Sequence, residues 1–188
     1  MSISDARSQM LSELAQGPAR RGYGIAYDLL GNRAEAEEAV QEALVRACEN
    51  ISDLRDPVAA PAWFLRIVTT MCLRTLRRRK LRRLVFGERR EDPERELPPT
   101  EPTHVAALMH GTEAAPPDTA LAGRQELSAL LRRLDSLSAQ QRTALVLRYG
   151  HNLGVPEIAE LLGVEMATAK THLVRGLAKL RDLMEEHR

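Results

Sequence analysis

Three groups of side chains in this 188-residue chain are spaced for binding chemistry, and none is spaced for catalysis. The first is Glu35, Glu38, Gln41 and Glu42. Steps of three and four put them on one side of a helix. Such a face offers acceptors for charge-assisted hydrogen bonds from an Arg-rich partner. The second is Arg66, Thr69, Thr70, Arg74, Arg77 and Arg78, ahead of Arg79 and Lys80. Cations in this pattern suit a phosphate backbone, although a run such as 77–80 also fits a solvated helix end. The third lies in "PEIAELLGVEMATAKTHLVRGLAKL", residues 156–180, where an apolar helical pattern breaks at Gly163-Val164 and resumes with Lys170, His172, Arg175 and Lys179. This is either a plain corner between two core helices or a helix-turn-helix. In the second reading Met166, Ala167, Thr168, Lys170, Thr171 and His172 approach base edges, and Arg175 and Lys179 meet phosphates.

Enzyme chemistry finds no footing. There is no phosphate-cradling glycine loop, no metal-ligand cluster and no nucleophile–base set among the five histidines. His104, His110 and His187 fall in irregular segments, and His151 falls at a turn. Cys48 and Cys72 occupy apolar positions of helical patterns without metal-ligand spacing. They read as two buried, reduced thiols. No metal and no cofactor is expected.

The elements that position these groups are helices. Hydrophobic residues make up 44% of the chain but aromatics only 3%, and Leu, Ala and Val dominate the apolar positions. That mix favours an all-α fold over sheets. The net charge of +1 says little about partners; the segregation of acid from base says more. No apolar run reaches membrane-spanning length, and the N-terminus has no signal-peptide pattern, so a cytoplasmic protein is expected.

Ala36, Ala39, Val40, Ala43, Leu44, Ala47 and Cys48 form one helical stripe. Gly31 ends the helix before it, and Asn32 with Glu35 resembles a capping box. That earlier helix is expected to begin near Pro18, with Gly22 and Gly24 weakening it. A third helix runs from about Ala62, with Phe64, Ile67, Val68, Met71, Cys72 and Leu76 inward. Residues 87–118 are proline-dense and aperiodic, apart from the apolar island 105–109, and read as a linker. Leu127, Leu130, Leu131 and Leu134 resume the period. Ser138 with Gln141 is a second capping box, and Gly150 is a candidate C-cap. In the final helix Ala169, Leu173, Leu177 and Leu180 are expected inward. The organisation is two helical domains, 1–85 and 121–188, joined by a flexible linker, 86–120.

In this order, an acidic helix, a basic helix, a tether and a helix-turn-helix resemble the extracytoplasmic-function (ECF) group of bacterial sigma factors, in the sigma-70 family. The family's D-A-E-D-x-x-Q-E pattern is matched by residues 35–42, Glu replacing Asp at both ends. Its W-L-x-x-I-A-x-N helix is matched from Trp63 to Thr70, with arginines following. Its second-domain pattern is matched by Leu137-Ser138, Arg142, Leu145, Leu147-Arg148-Tyr149, Glu157-Ile158-Ala159, Leu162-Gly163-Val164 and Thr168-Ala169-Lys170. Thr70 and Arg74 depart from the usual Asn and Asp, and Gly154 and Glu165 from the usual caps.

The resemblance implies a protein that binds core RNA polymerase and directs promoter-specific initiation. Glu35, Glu38, Gln41 and Glu42 would dock on the clamp of the largest subunit, and the second domain on the flap of the second largest. Trp63, Arg66, Thr70, Arg74, Arg77 and Arg78 would hold the opened −10 element. Met166, Ala167, Thr168, Lys170, Thr171, His172 and Arg175 would read the −35 element. Members of the group are often held by an anti-sigma factor. The two elements lie roughly 85 Å apart at ~3.4 Å per base pair, whereas a flexible tether of this length averages roughly 30–35 Å. The free protein is therefore expected to be more compact than the engaged one and to bind promoter duplex weakly. The rival is a stand-alone helix-turn-helix regulator, which needs a dimer interface or ligand pocket and leaves the acidic helix without a role; a protein-binding scaffold is a third reading.

Overall fold

A computed structural model describes residues 3–54, 56–86, 134 and 136–185. All of these form helices or the turns between them. Helix α1 is Ile3–Leu30, α2 is Arg33–Asn50 and α3 is Ala60–Phe86. Two single 3-10 turns, Ile51–Asp53 and Pro57–Ala59, join α2 to α3. The second group comprises α4, Ala139–Leu145, continued by a π turn, Val146–Gly150; α5, Val155–Leu162; and α6, Met166–Glu185. The expected linker and the Leu127–Leu131 pattern lie outside the described residues.

Helices α1, α2 and α3 pack against one another in a three-helix unit. The join between α1 and α2 is made as its sequence requires. Gly31 takes φ +66°, where a Cβ would be strained. Asn32 Oδ1 then accepts from the Glu35 N–H at 3.0 Å and caps α2. Helix α1 begins well before Pro18, contrary to the expected start. Pro18 lies inside it, where a missing N–H and ring contact cost about 3 kcal/mol. Buried Leu14 and Ala19, with Met10 and Leu11 against the core, hold the longer helix in place. Gly22 is a contact point: a Cβ there would come within 3.2 Å of Val68 on α3.

Helix α3 is buried on more than the expected stripe. Phe64, Val68, Met71, Cys72 and Leu76 are inward as expected, but so are Leu65, Thr69 and Leu73. Thr69 was expected on the exposed basic face; it is fully buried, with its hydroxyl donating to Leu65 O. Leu65 lies against Gly22 of α1, and a second group of helices adds cover. Helix α5 packs on α3, and the π turn packs on α1. One continuous core runs through both groups, from Leu14 and Phe64 to Ile158 and Ala169. A smaller cluster of Leu134, Leu137 and Leu145 joins Leu173 and Leu180 within the second group.

Three further expectations change. Cys48 is exposed, because the α2 stripe narrows to Ala36, Ala39, Ala43 and Ala47, with Val40, and residue 48 falls beyond its edge. Leu177 is 39% exposed; α6 instead turns Gly176 to α4, where a Cβ would lie 3.0 Å from Leu145. Gly150 does not end α4 in a left-handed cap. The chain widens into the π turn, and Asn152 takes the positive φ of 52°. The Ser138–Gln141 capping box forms in both directions, at 3.1 and 3.2 Å.

The two thiols consequently differ. Burial pushes Cys72 up to about 12, against a smaller opposing effect from the nearby Arg142 cation. At pH 8 the folded protein should take up one equivalent of a thiol reagent, at Cys48, and the second only in denaturant. Equal rates at the two residues in the native state would contradict this packing.

Candidate nucleic-acid interface

The C-terminal site is built on a turn of three residues. Helix α5 ends at Gly163, whose φ of +65° closes the helix, with its N–H on Glu160 O and the Val164 N–H on Ala159 O. Helix α6 starts at Met166. Ile158, Ala159 and Ala169 are buried where the two helices cross, which is helix-turn-helix geometry. The weak-looking cap at Gly154 is supported from the other direction: Glu157 Oε2 accepts its N–H at 2.7 Å.

The first two turns of α6 project Met166, Ala167, Thr168, Lys170 and Thr171 into solvent, and Arg175 follows on the exposed surface. His172 is partly withdrawn. Its Nε2 is sealed from solvent, with no hydrogen-bond partner among the described residues. Burial, then the Arg175 cation, holds its pKa below the ordinary imidazole range, so the ring is neutral near pH 7. Lys179 donates to Ser136 O at 2.8 Å and ties α6 to the turn before α4.

The basic helix divides its expected residues between two surfaces. Trp63, Arg66 and Thr70 line a cavity of about 510 Å³ with Arg46, Asn50 and Asp53. Trp63 is half-buried and also packs against the core. Arg74 and Arg78 stand further along the helix. They line a cavity of about 220 Å³ with Glu35, Glu38 and Glu42. Arg77 is exposed. Acid and base thus form adjoining walls of one groove, which a reading of each helix alone does not show.

Arg79 is the functional-looking arginine that proves structural. It donates to Leu30 O at 2.9 Å and pairs with the Glu35 carboxylate. One guanidinium therefore caps the end of α1 and holds the first turn of α2. Glu35 was expected to face a partner; here its carboxylate is engaged within the fold. Glu42 pairs with Arg46 at 2.8 Å, while Glu38 and Gln41 are exposed. Arg46 and Asn50 were missed by the sequence reading. Their signal is the i, i+4 series Glu42, Arg46, Asn50, completed by Asn50 Nδ2 donating to Arg46 O.

Among the described residues no group of His, Cys, Asp and Glu is placed to hold a metal. None of their helices is long and apolar enough to cross a membrane.

Comparison with known proteins agrees with this geometry. Residues 18–82 match the family described as Sigma-70 region 2, and residues 127–180 match Sigma-70, region 4. The ECF RNA polymerase sigma factor SigE of Mycolicibacterium smegmatis is 31% identical over 93% of this chain; this chain covers 62% of that protein's length, less than two thirds. SigW of Bacillus subtilis, also an ECF sigma factor, is 27% identical over 87% of this chain and 83% of its own. Among solved structures, the sigma factor RpoE in complex with the anti-sigma factor NepR from Bartonella quintana shares the fold with a TM-score of 0.61, at 19% identity, over 94% of this chain and 97% of that one. CnrH, in complex with the cytosolic domain of CnrY, gives 0.59 at 21% identity over 97% and 96%. The chain belongs to the sigma-70 family, as an ECF-type sigma factor.

Replacing Arg79 by Ala should remove both of its contacts and cost about 2 kcal/mol. Arg79→Lys should recover only part of this, because a single ammonium cannot span both partners. Denaturant unfolding measures both, and a wild-type midpoint for Arg79→Ala would remove the junction role.

Proposed function

We propose that the protein binds core RNA polymerase and confers promoter-specific initiation, as its family membership implies, and that it acts by binding rather than by catalysis. One observation carries the reading beyond family likeness: the chain presents two surfaces of different kinds, an exposed helix start and a lined cavity. The exposed start of α6 suits the edges of paired bases in a major groove. The cavity at Trp63, Arg66 and Thr70 suits a single base taken out of the stack, with cationic and aromatic walls. A stand-alone regulator needs only the first.

In this reading residues 1–85 engage the −10 element and residues 121–188 the −35 element. Trp63 and Thr70 line the pocket for the displaced base, and Arg66 holds the backbone beside it. Arg77 adds charge along the strand. Arg74 and Arg78 border the acidic wall and steer either DNA or a partner helix. Met166, Ala167, Thr168, Lys170 and Thr171 meet base edges, His172 meets DNA uncharged at its periphery, and Arg175 meets phosphate. Glu38, Gln41 and Glu42 are the exposed acceptors for the polymerase clamp, with Glu35 set back against Arg79. The second group of helices engages the flap. An anti-sigma partner is proposed because a solved sigma factor of this fold is in complex with an anti-sigma factor. The site of action is the cytoplasm, where polymerase and DNA meet.

Purified protein added to bacterial core polymerase should give discrete, protein-dependent run-off transcripts on host genomic fragments. Glu38→Lys should abolish them by losing core binding in pull-down. Arg175→Ala should keep core binding but weaken transcription about tenfold, the scale of one lost charged contact. No core-dependent initiation, with sequence-specific duplex binding by the free protein, would favour the stand-alone regulator.

A further inference from the structure

The contact between the two groups of helices contains a buried pair of ionisable side chains. His151 Nε2 lies 3.0 Å from Asp28 Oδ2, and the side chains are 4% and 3% exposed. Asp28 is near the end of α1, and His151 follows the π turn. The turn aims the ring: His151 N–H donates to Val146 O at 3.2 Å and Leu153 N–H to Leu147 O at 3.0 Å, around Asn152 at positive φ. Two bare acceptors at this separation would repel, so one proton lies between them in the closed form. The pair lies off ideal hydrogen-bond alignment.

The closed contact conflicts with promoter engagement. A methyl group at Gly163, in the helix-turn-helix turn, would come within 3.2 Å of the Arg66 guanidinium. Met166 follows by three residues, at most about 11 Å of chain. The two DNA-binding surfaces therefore meet where a promoter would hold them roughly 85 Å apart along duplex. Thr69 and Leu73, which share a side of α3 with Arg66 at i+3 and i+7, are buried in this arrangement.

We propose that the Asp28–His151 pair is a latch that holds the free protein in a closed, promoter-incompetent form. The latch rests on the reading of α3 and α6 as two separately engaged DNA surfaces. Neither residue belongs to those surfaces. Removing either member leaves the other buried without its polar partner, which favours opening over closure.

The test is single-molecule energy transfer on the full chain, without polymerase or DNA. Dyes are placed on Cys48 and on Arg181→Cys, both at exposed positions. The labelled protein should show a dominant high-transfer population. His151→Ala and Asp28→Ala should each raise the low-transfer fraction about tenfold or more, as for a buried polar group left without its partner. The double variant should rise no further than the larger single effect, because both singles break one interaction. Unchanged distributions in folded variants, or fully additive effects, would overturn the latch. If Asp28→Ala fails to fold, His151→Ala decides alone, since residue 151 lies in a turn and Ala keeps its backbone bond. Failure of the run-off assay with a normal energy-transfer result would count against the polymerase role and leave the latch standing.

Discussion

Helix α3 is asked to be buried on two sides and charged on the remainder, and the other elements arrange themselves around that demand. Its first side, Phe64, Val68 and Cys72, closes the three-helix core. Its second, Leu65, Thr69 and Leu73, is covered as well. A hydroxyl at Thr69 is tolerated there because it bonds within the helix to Leu65 O, as a buried polar group must. Gly22 lets α1 approach closely. What remains of the helix surface carries its arginines, so the burial pattern decides where positive charge emerges.

Charge is then divided between structure and recognition by position along the helix. Arg79 is spent inside the fold, joining Leu30 O and Glu35. Arg66 stands beside Trp63 and Thr70 on one cavity, while Arg74 and Arg78 stand beside the acids on another. Four residues of one type in one basic stretch thus have three physical situations. Partially buried pairing holds the geometry, whereas exposed cations keep their fields available to a partner.

Local rules made much of this legible in the sequence. Asn32 and Ser138 cap as their spacing indicates, and Gly163 takes the left-handed turn. Ala36, Ala39, Ala43 and Ala47 face inward. These features depend on neighbours within a turn or two. The misreadings share another cause. Thr69 is buried by helices far away in sequence, Pro18 is held inside α1 by tertiary packing, and Leu177 yields its inward place to Gly176 because α4 approaches there. Periodicity gives the direction of a face but not how many partners cover it. The exposed start of α6 was readable because a helix-turn-helix is short-range geometry. The two cavities were not, since each takes walls from both α2 and α3.

The closed arrangement also leaves one partner surface open, and this orders the events on the proposed reading. Glu38, Gln41 and Glu42 are exposed while the two groups of helices are in contact. Polymerase can therefore dock on the acidic face before the halves separate. Docking alone does not open the protein, because a ligand that binds both forms equally shifts nothing. Opening requires contacts available only to the separated form, and the second group of helices supplies them once it reaches its own seat on the polymerase or the DNA. A contact that contains Thr69, Arg66, Asp28 and His151 beside its leucines suits this duty. Its polar groups can be rehydrated on separation, whereas a wholly apolar contact of the same extent would resist it.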